Sequence, residues 1–178
     1  MSYRNVQVVQ VVQMTEQKFI LDATAGGRMM WFNKNHPNTL YVDKRVEEKG
    51  CIPQQIGFSV EPDEVADFTN LPYRDGSFKL VVFDPPHATV NKSSIIGIKY
   101  GTLGDDWRDV IRDGFNECYR VLDDYGVLVF KWNEVSVTVR EVLDLIDVEP
   151  LFGHTTAKSG KTKWMTFMKI PSTENTDD

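Results

Sequence analysis

Short apolar runs separated by polar, turn-rich stretches recur along the chain, and they predict the strands of a sheet. The predicted strands are Phe19–Asp22, Thr39–Asp43, Glu64–Asp67, Phe78–Phe83, Val127–Lys131, Leu151–Thr155 and Trp164–Ile170. The run Phe78–Phe83 is almost continuously apolar, which is typical of a strand buried on both faces of a parallel sheet. The strand must end at Pro85 and Pro86, because proline donates no N–H to a ladder and fixes φ.

Helical spacing marks two longer stretches. Between Asp105 and Leu122, one face carries Trp107, Val110, Ile111, Phe115, Cys118, Tyr119 and Leu122. A second helix is predicted by Val139, Val142, Leu143 and Ile146, with Asn133 as its cap. A short helix is also expected to start at Met29 and to end before Pro37. The polar stretch Ala88–Gly104 is predicted to be a long loop, and such loops are often lids or substrate loops.

The alternation of strands and helices, closed by a hairpin, predicts the fold class. We expect an α/β, Rossmann-like, doubly wound and mostly parallel sheet of about seven strands, with a C-terminal antiparallel hairpin. The 178 residues are predicted to form one domain, with its core at about residues 19–170. Met1–Gln17 predicts a short lead-in element, and residues 171–178 predict a disordered polar tail.

Composition narrows the class of protein. The chain is 41% hydrophobic and 26% charged, as expected for a soluble globular protein. Its net charge of −6 argues against salt-driven binding of duplex nucleic acid over the whole surface, although Lys158–Lys163 forms a local basic patch. Without an evident signal peptide or an apolar run of about 18 residues, the chain is expected to be cytoplasmic with no membrane partner. Isolated cysteines and scattered histidines predict no metal site.

Aspartates follow several predicted strands. Asp22, Asp43, Asp67 and Asp84 all come at or just after a strand end, and ligands bind at that edge of open α/β sheets. The glycine turn after the first strand lets a ligand approach the backbone closely. Asp43 lies 21 residues after Asp22, near the offset at which an acidic residue meets a ribose hydroxyl in dinucleotide-type folds. The alternative is that each aspartate only forms a turn or caps a helix.

Asp84 stands where a stiff turn fixes its direction. The amine nitrogen of a base, or an amide nitrogen, is a poor nucleophile because its lone pair is delocalised. Acceptors placed on its hydrogens, such as the Asp84 carboxylate and the Pro85 carbonyl, can localise that lone pair as a methyl group arrives. The alternative is a strand followed by a Pro-Pro loop with a solvated aspartate.

Three segments resemble class I S-adenosylmethionine-dependent methyltransferases. Phe19–Gly27 resembles their first motif, and Asp67–Phe78 is similar to their third-strand segment. Asp84-Pro85-Pro86-His87 resembles the Asp-Pro-Pro-aromatic motif of the amino-methyltransferases that act on adenine. The chain from about 19 to 170 looks like small methyltransferases commonly encoded in phages and prophages. It differs from the family at Arg28, where a later glycine is usual, and at His87, where Tyr, Phe or Trp is usual.

The resemblance implies a cofactor and the residues that bind it. The cofactor is S-adenosylmethionine, and the implied binding residues are Asp22, Ala23, Thr24, Gly26, Gly27, Asp43, Lys44, Asp67, Phe68 and Asp84. Asp67 would accept from the adenine amino group, Phe68 would border the ring, and Asp43 would accept from the ribose hydroxyls. The glycine turn would approach the amino acid end of the cofactor, where Asp22 would act through water or the α-ammonium. Asp84, Pro85, Pro86 and His87 are the implied catalytic residues.

The favoured function is therefore N-methylation of DNA or RNA, with adenine N6 as the target. The chain has no recognisable target-recognition domain, so a protein partner could supply sequence specificity. The alternatives are a methyltransferase of a small molecule or a protein amide, and a cofactor-binding module without turnover. Lys131-Trp132-Asn133 follows the fifth strand at the same sheet edge and is a weaker site candidate. The alternative is that Lys131 is a solvated strand end and that Trp132 packs on a neighbouring helix.

Overall fold

The computed structural model describes residues 18–153 and 160–171. The predicted lead-in element (1–17), most of the predicted polar tail (172–178) and part of the basic patch (158 and 159) lie outside the described residues. So do the last two residues of the strand predicted at Leu151–Thr155. Among the described residues, no helix is long and apolar enough to cross a membrane.

One mixed sheet forms the centre of the molecule. Within the described ranges its seven strands are β1 (Ile20–Asp22), β2 (Thr39–Asp43), β3 (Glu64–Val65), β4 (Phe78–Phe83), β5 (Leu122–Asn133), β6 (Phe152–Gly153) and β7 (Thr162–Met168). Their order is β3-β2-β1-β4-β5-β7-β6. β7 runs antiparallel to both of its neighbours, and the other pairs are parallel. The predicted Rossmann-like sheet with a C-terminal antiparallel hairpin is confirmed.

The register of the central strand brings several strand ends together. β4 pairs with β1 through Val82 and Asp22, and with β5 through Phe83 and Phe130. Leu21, Val81, Phe83 and Phe130 are buried, as expected for strands covered on both faces. Because parallel strands share one direction, the residues that follow β1, β4 and β5 meet at a single edge of the sheet.

Helix α2 (Trp107–Val121) connects β4 to β5 and covers one face of the sheet. It buries Ile111, Phe115 and Cys118 among its residues on the predicted apolar face. A Cβ atom added at Gly114 would lie 2.5 Å from the ring of Phe68 and 3.0 Å from the ring of Phe83. The glycine therefore lets the helix backbone approach these two rings.

The helix predicted at Met29 is absent from the described chain, because residues 23–38 form a series of turns. Arg28 has a φ of 53°, a left-handed conformation that interrupts helical geometry. Its guanidinium donates to the Lys34 and Glu61 carbonyls and to Asp63 Oδ1, and it lies 4.0 Å over the Tyr41 ring. Side-chain contacts thus hold this connection in place of a helix.

The predicted loop Ala88–Gly104 contains a short helix, α1 (Ile95–Tyr100). The Ser94 hydroxyl accepts from the Gly97 N–H at its start, and Gly101, with φ 76°, ends it. The prediction of a loop throughout was wrong, because this serine and glycine cap a single short turn of helix.

Helix α3 (Val139–Leu143) is capped by Thr138 rather than by the predicted Asn133. The Thr138 side chain accepts from the Glu141 N–H, and the Glu141 carboxylate accepts from the Thr138 N–H, which makes a capping box. Asn133 instead extends β5, because it pairs with Thr162 of β7. β5 also includes residues 123–126, which lie before the strand predicted at Val127–Lys131, and an irregularity in its pairing with β4 accommodates them.

We predict that Gly114→Ala lowers the free energy of unfolding by about 1–2 kcal/mol. Alanine favours a helix over glycine by about 1 kcal/mol. The added methyl would lie only 2.5 and 3.0 Å from two buried rings, so its overpacking cost belongs in the upper part of the usual range, at about 2–3 kcal/mol. Urea denaturation measures the difference. Asn116→Ala, on the exposed side of the same helix, is the matched control and is expected to be neutral or stabilising. A Gly114→Ala variant as stable as the parent would contradict the packing described here.

Candidate active site

A cavity of about 800 Å³ lies at the carboxyl edge of the sheet, within the ~300–1,000 Å³ typical of small-molecule sites. The turn after β1, the ends of β2 and β4, the α1 segment (residues 88–104) and the start of α2 form its walls. The predicted site residues in the wall are Ala23, Thr24, Gly26, Gly27, Asp43, Lys44, Phe68, Asp84, Pro85, Pro86 and His87. Asp22 and Asp67 are not part of it.

Asp84 is held at the cavity by a cation from the next strand. Its Oδ2 atom accepts from Lys131 Nζ at 2.5 Å, and the side chain is only 12% exposed. Oδ1 is buried and accepts no hydrogen bond from any described residue. Burial raises the pKa of the Asp84 carboxyl, whereas Lys131 and His87 act to lower it. The carboxylate therefore has one oxygen fixed by Lys131 and one buried oxygen without a donor among the described residues.

The turn that begins at Asp84 and the glycine turn are tied together. The Asp84 N–H donates to Thr24 Oγ1 at 2.8 Å, and the Ala23 N–H donates to the Val82 carbonyl at 3.0 Å. These bonds continue the β1–β4 ladder beyond the strand ends. The two turns therefore keep a fixed separation across the cavity.

His87 lies between two aromatic side chains. Its ring centroid is 6.3 Å from that of Trp132, at a steep angle of 73°, and 6.3 Å from that of Tyr100. Burial lowers the pKa of the imidazole below its usual range, and Lys131 acts in the same direction. Burial thus disfavours the protonated imidazole, and the rings of His87 and Tyr100 give the cavity a wall of planar groups.

Asp43 lines the cavity, but protein donors occupy it. Oδ1 accepts from the Arg45 N–H and Nε, and Oδ2 accepts from the Gly26 N–H and a terminal Arg45 nitrogen, all at 2.9–3.0 Å. A carboxylate offers about four lone-pair sites, so these donors fill it. Asp43 shapes the glycine turn directly, and ribose hydroxyls could reach it only by displacing one of these donors.

Arg45 also reaches the opposite wall. Its guanidinium donates to the Ile98 carbonyl at 3.1 Å, which links the end of β2 to the α1 segment. At the other end of α1, a Cβ atom added to Gly101 would lie 2.8 Å from Pro86 Cγ. The α1 segment thus rests on both the end of β2 and the turn that follows β4.

Phe68 is the buried apolar surface of the cavity near the third strand. It is 5% exposed and packs edge-on against Phe83 with centroids 5.4 Å apart. Asp67, just before it, accepts from the Thr69 N–H and hydroxyl and from Lys44 Nζ. Hydrogen bonds from Thr69 and the charge of Lys44 hold the pKa of Asp67 below its usual range despite partial burial.

Asp22 lies behind the cavity wall. It is fully buried, and it accepts from Trp31 Nε1 at 2.6 Å and from the Thr24 N–H at 3.2 Å. Burial raises its pKa from 3.8 to about 7, and the neighbouring charges of Asp84 and Asp43 act in the same direction. Through the hydrogen bond from the Thr24 N–H, Asp22 holds the start of the glycine turn in place.

Sequence reasoning missed or undervalued three residues of the site. Arg45 was not singled out, although it is two residues from a strand-end carboxylate. Tyr100 is an aromatic residue within the predicted polar loop, which is a signal for a ring at the cavity. The solvated strand end considered for Lys131 was wrong, because its side chain is 22% exposed and paired with Asp84. Trp132 is fully buried.

No protein-family model and no curated protein matches this chain. Solved structures with similar folds do exist. A Pyrococcus horikoshii protein has a TM-score of 0.55 at 12% identity, covering 88% of this chain and 84% of its own. A geranyl diphosphate methyltransferase solved with S-adenosylmethionine has a TM-score of 0.52 at 12% identity, covering 87% and 79%. A Methanosarcina mazei S-adenosylmethionine-dependent methyltransferase has a TM-score of 0.52 at 10% identity, covering 93% and 99%. The chain therefore has a fold also found in S-adenosylmethionine-dependent methyltransferases.

We predict that Asp22 makes stability fall as the pH rises through neutrality. The pKa of Asp22 in the folded state is about 7, above the ordinary value of 3.8. The stabilisation of the folded state by protonated Asp22 is therefore fully present below about pH 4 and is lost as the pH rises past about 7. Between pH 5 and 8 the unfolding free energy of the parent should fall by roughly 2–3 kcal/mol more than that of Asp22→Asn.

Urea denaturation at both pH values measures this difference. The comparison uses the change with pH, since replacing the carboxyl by an amide also alters the hydrogen bonds at this position at any pH. Asp109→Asn, at a side chain that is 68% exposed on α2, is the control and should keep the parent's pH dependence. The same pH dependence in parent and Asp22→Asn would show that Asp22 is ionised throughout.

Proposed function

We propose that this protein is an S-adenosylmethionine-dependent N-methyltransferase whose acceptor is an exocyclic amine, with adenine N6 of DNA or RNA favoured. One observation carries the proposal. Asp84 Oδ1 is a buried acceptor without a donor among the described residues, and Asp84 lines the cavity beside a stiff Pro-Pro turn and the His87 ring. An amine N–H group would supply the hydrogen-bond donor that this oxygen lacks.

The cofactor half of the cavity suits S-adenosylmethionine. Gly26 lines the cavity, so a ligand can approach its backbone there, and a Cβ atom added to it would be in van der Waals contact with Arg45 and the Lys99 carbonyl, both at 3.7 Å. In this proposal the Gly26-Gly27 turn takes the amino acid end, and Phe68 borders the adenine ring. Asp67 lies outside the cavity wall, so its predicted contact with the adenine amino group stays a prediction. The predicted ribose contact of Asp43 stays a prediction and requires exchange with Arg45.

When bound, S-adenosylmethionine supplies a sulfonium methyl group, whose C–S bonding pair returns to sulfur as the acceptor lone pair forms the C–N bond. The acceptor nitrogen then passes one proton to solvent water. Asp84 Oδ1 and the Pro85 carbonyl would accept hydrogen bonds from the two N–H groups of the amine. This arrangement localises the lone pair on nitrogen and stabilises the positive charge that develops there. Holding the amine in line supplies much of the rate.

The rings beside Asp84 suit a planar acceptor. His87 and Tyr100 both line the cavity, so a base can lie against either ring. The motif has His87 in place of the usual Tyr, Phe or Trp, and Tyr100, which lies in α1, adds an aromatic ring beside it. A base within a duplex would have to be flipped out of the stack to reach this position.

Charge at the cavity favours an anionic acceptor. Lys92 and Lys99 line it, and neither forms an ion pair with a carboxylate in the part of the chain that the structure describes. Lys99 Nζ lies 5.7 Å from the Phe58 ring centroid and 5.8 Å from that of Tyr100. Cations interleaved with rings are typical of surfaces that bind single-stranded nucleic acid.

Methyl-labelled cofactor tests the proposal. The purified protein is incubated with DNA, RNA and cell extract, and labelled nucleic acid is digested to nucleosides. Label in N6-methyladenine supports the proposal. Label in another fraction would support a small-molecule or protein-amide acceptor. Cofactor binding by calorimetry with no label in any fraction would support a binding module without turnover.

We predict that Asp84→Ala keeps its affinity for S-adenosylhomocysteine but loses roughly 10²-fold or more in kcat, as expected when one contact to a transition state is removed. A matching loss in kcat/KM would place the contact in the transition state. Asp84→Asn keeps an acceptor oxygen and should retain more activity than Asp84→Ala.

Thermal denaturation of both variants provides the control. If Asp84 only shapes the turn, both substitutions would lower the melting temperature and cofactor affinity together. Unchanged activity per folded molecule in both variants would exclude a catalytic role.

A further inference from the structure

The β4–β5 register places Lys131 beside Asp84. Phe83 and Phe130 are paired across the two parallel strands, so the next residue of each strand stands at the same edge. Lys131 Nζ lies 2.5 Å from Asp84 Oδ2, and the two side chains are 22% and 12% exposed. A nearly buried pair of this kind interacts much more strongly than an exposed one.

Lys131 is itself held from the far side. Its Nζ lies 5.7 Å from the ring centroid of Trp164, which is its partner on β7. β7 thus confines the lysine to the direction of Asp84. The other described charges that face Asp84 are His87, in the turn after β4, and Asp22, on β1. Of these groups, Lys131 is the permanent cation next to the carboxylate.

We propose that Lys131 is the positioning residue of the acceptor site, where it holds Asp84 Oδ2 so that Oδ1 faces the acceptor and keeps the carboxylate charged. This inference rests on the proposed function for its kinetic consequence. Lys131 acts through Asp84, and in this role it makes no contact with the reacting nitrogen.

The need for such a residue follows from burial. Burial favours the protonated carboxyl, and a protonated carboxyl presents an O–H donor where the acceptor amine also brings donors. With Oδ2 bound to Lys131, the proton would sit on Oδ1, which could then no longer accept from the amine in the way that localises its lone pair. A neighbouring cation commonly lowers a carboxyl pKa by about 1–3 units, which keeps Asp84 ionised over a wider pH range.

Lys131→Met and Lys131→Gln test the role of the charge, and Gln retains a hydrogen-bond donor. The first readout needs no acceptor: ¹³C NMR of protein labelled at aspartate carboxyls follows the titration of Asp84, which Asp84→Asn assigns. We expect the midpoint to rise by about 1–3 pH units in both variants. Lys131→Arg should stay near the parent. Lys79→Met is the matched control, because Lys79 lies on β4 and forms an ion pair with Asp123 rather than with Asp84. This variant should leave the titration midpoint of Asp84 unchanged.

The second readout is the pH dependence of methyl transfer. Activity requires ionised Asp84, so in Lys131→Met and Lys131→Gln it should be lost at a higher pH as the medium is acidified. Asparagine cannot be protonated in this range, so Lys131→Met in the Asp84→Asn background should cause no such shift. Affinity for S-adenosylhomocysteine should be unchanged throughout.

The outcomes separate the two proposals. An Asp84 titration that does not move in Lys131→Met or Lys131→Gln overturns the role of Lys131, whatever the activity. A titration that moves without a shift in the pH profile of methyl transfer also overturns it, because Lys131 would then be only structural. If the titration moves and no acceptor is methylated by the parent, the proposed function fails and the control of Asp84 by Lys131 stands.

Discussion

The hydrogen-bonded ladder that holds β4 between β1 and β5 is the constraint on which the site depends. It sets which residues emerge together at the carboxyl edge, and the two prolines after Asp84 prevent β4 from continuing. A slip of one residue in a strand would turn its side chains to the opposite face. The Asp84–Lys131 contact and the bond from Asp84 to Thr24 both require the observed register.

The aspartates near the four strand ends have different environments, and each environment sets a different role. Asp22 is enclosed behind the wall, and Asp43 is filled by donors from Arg45 and Gly26. Asp67 is held in its own turn by Thr69. Asp84 combines a nearly buried position with an unused oxygen. A similar place in the sequence thus gives two supporting groups, one group bound within its own turn and one group with an oxygen that has no donor among the described residues.

The sequence predicted the sheet well, because buried strands leave short apolar runs that end at turn formers. The bounds of β2 and β4 were predicted correctly, and the C-terminal hairpin was recognised. The missing helix after β1 could not be foreseen in the same way. It depends on contacts of Arg28 with residues about 35 positions later, which no local pattern records.

The site shows the same division between local and distant information. The glycine turn, Phe68 and the Asp84 motif line the cavity. The glycine turn and Asp84 were found from local signals, and Phe68 from the family resemblance. The partners that define their chemistry come from afar: Lys131 is 47 residues from Asp84, and Ile98 is 53 residues from Arg45. Strand register and the fold of the α1 segment decide these pairs, so spacing along the chain does not reveal them.

Gly101 limits how this scaffold can be redesigned. The residue ends α1 in a left-handed conformation and leaves no room for a Cβ atom against Pro86. The α1 segment therefore packs closely against the turn that carries Asp84, with the backbone of Gly101 next to the Pro86 ring. A library that randomises the α1 segment to admit new ligands must keep this glycine fixed, since a side chain there would push the Asp84 turn away from Thr24. Diversity is best introduced at the exposed side chains of α1, where Ile95 and Ile96 carry no such constraint.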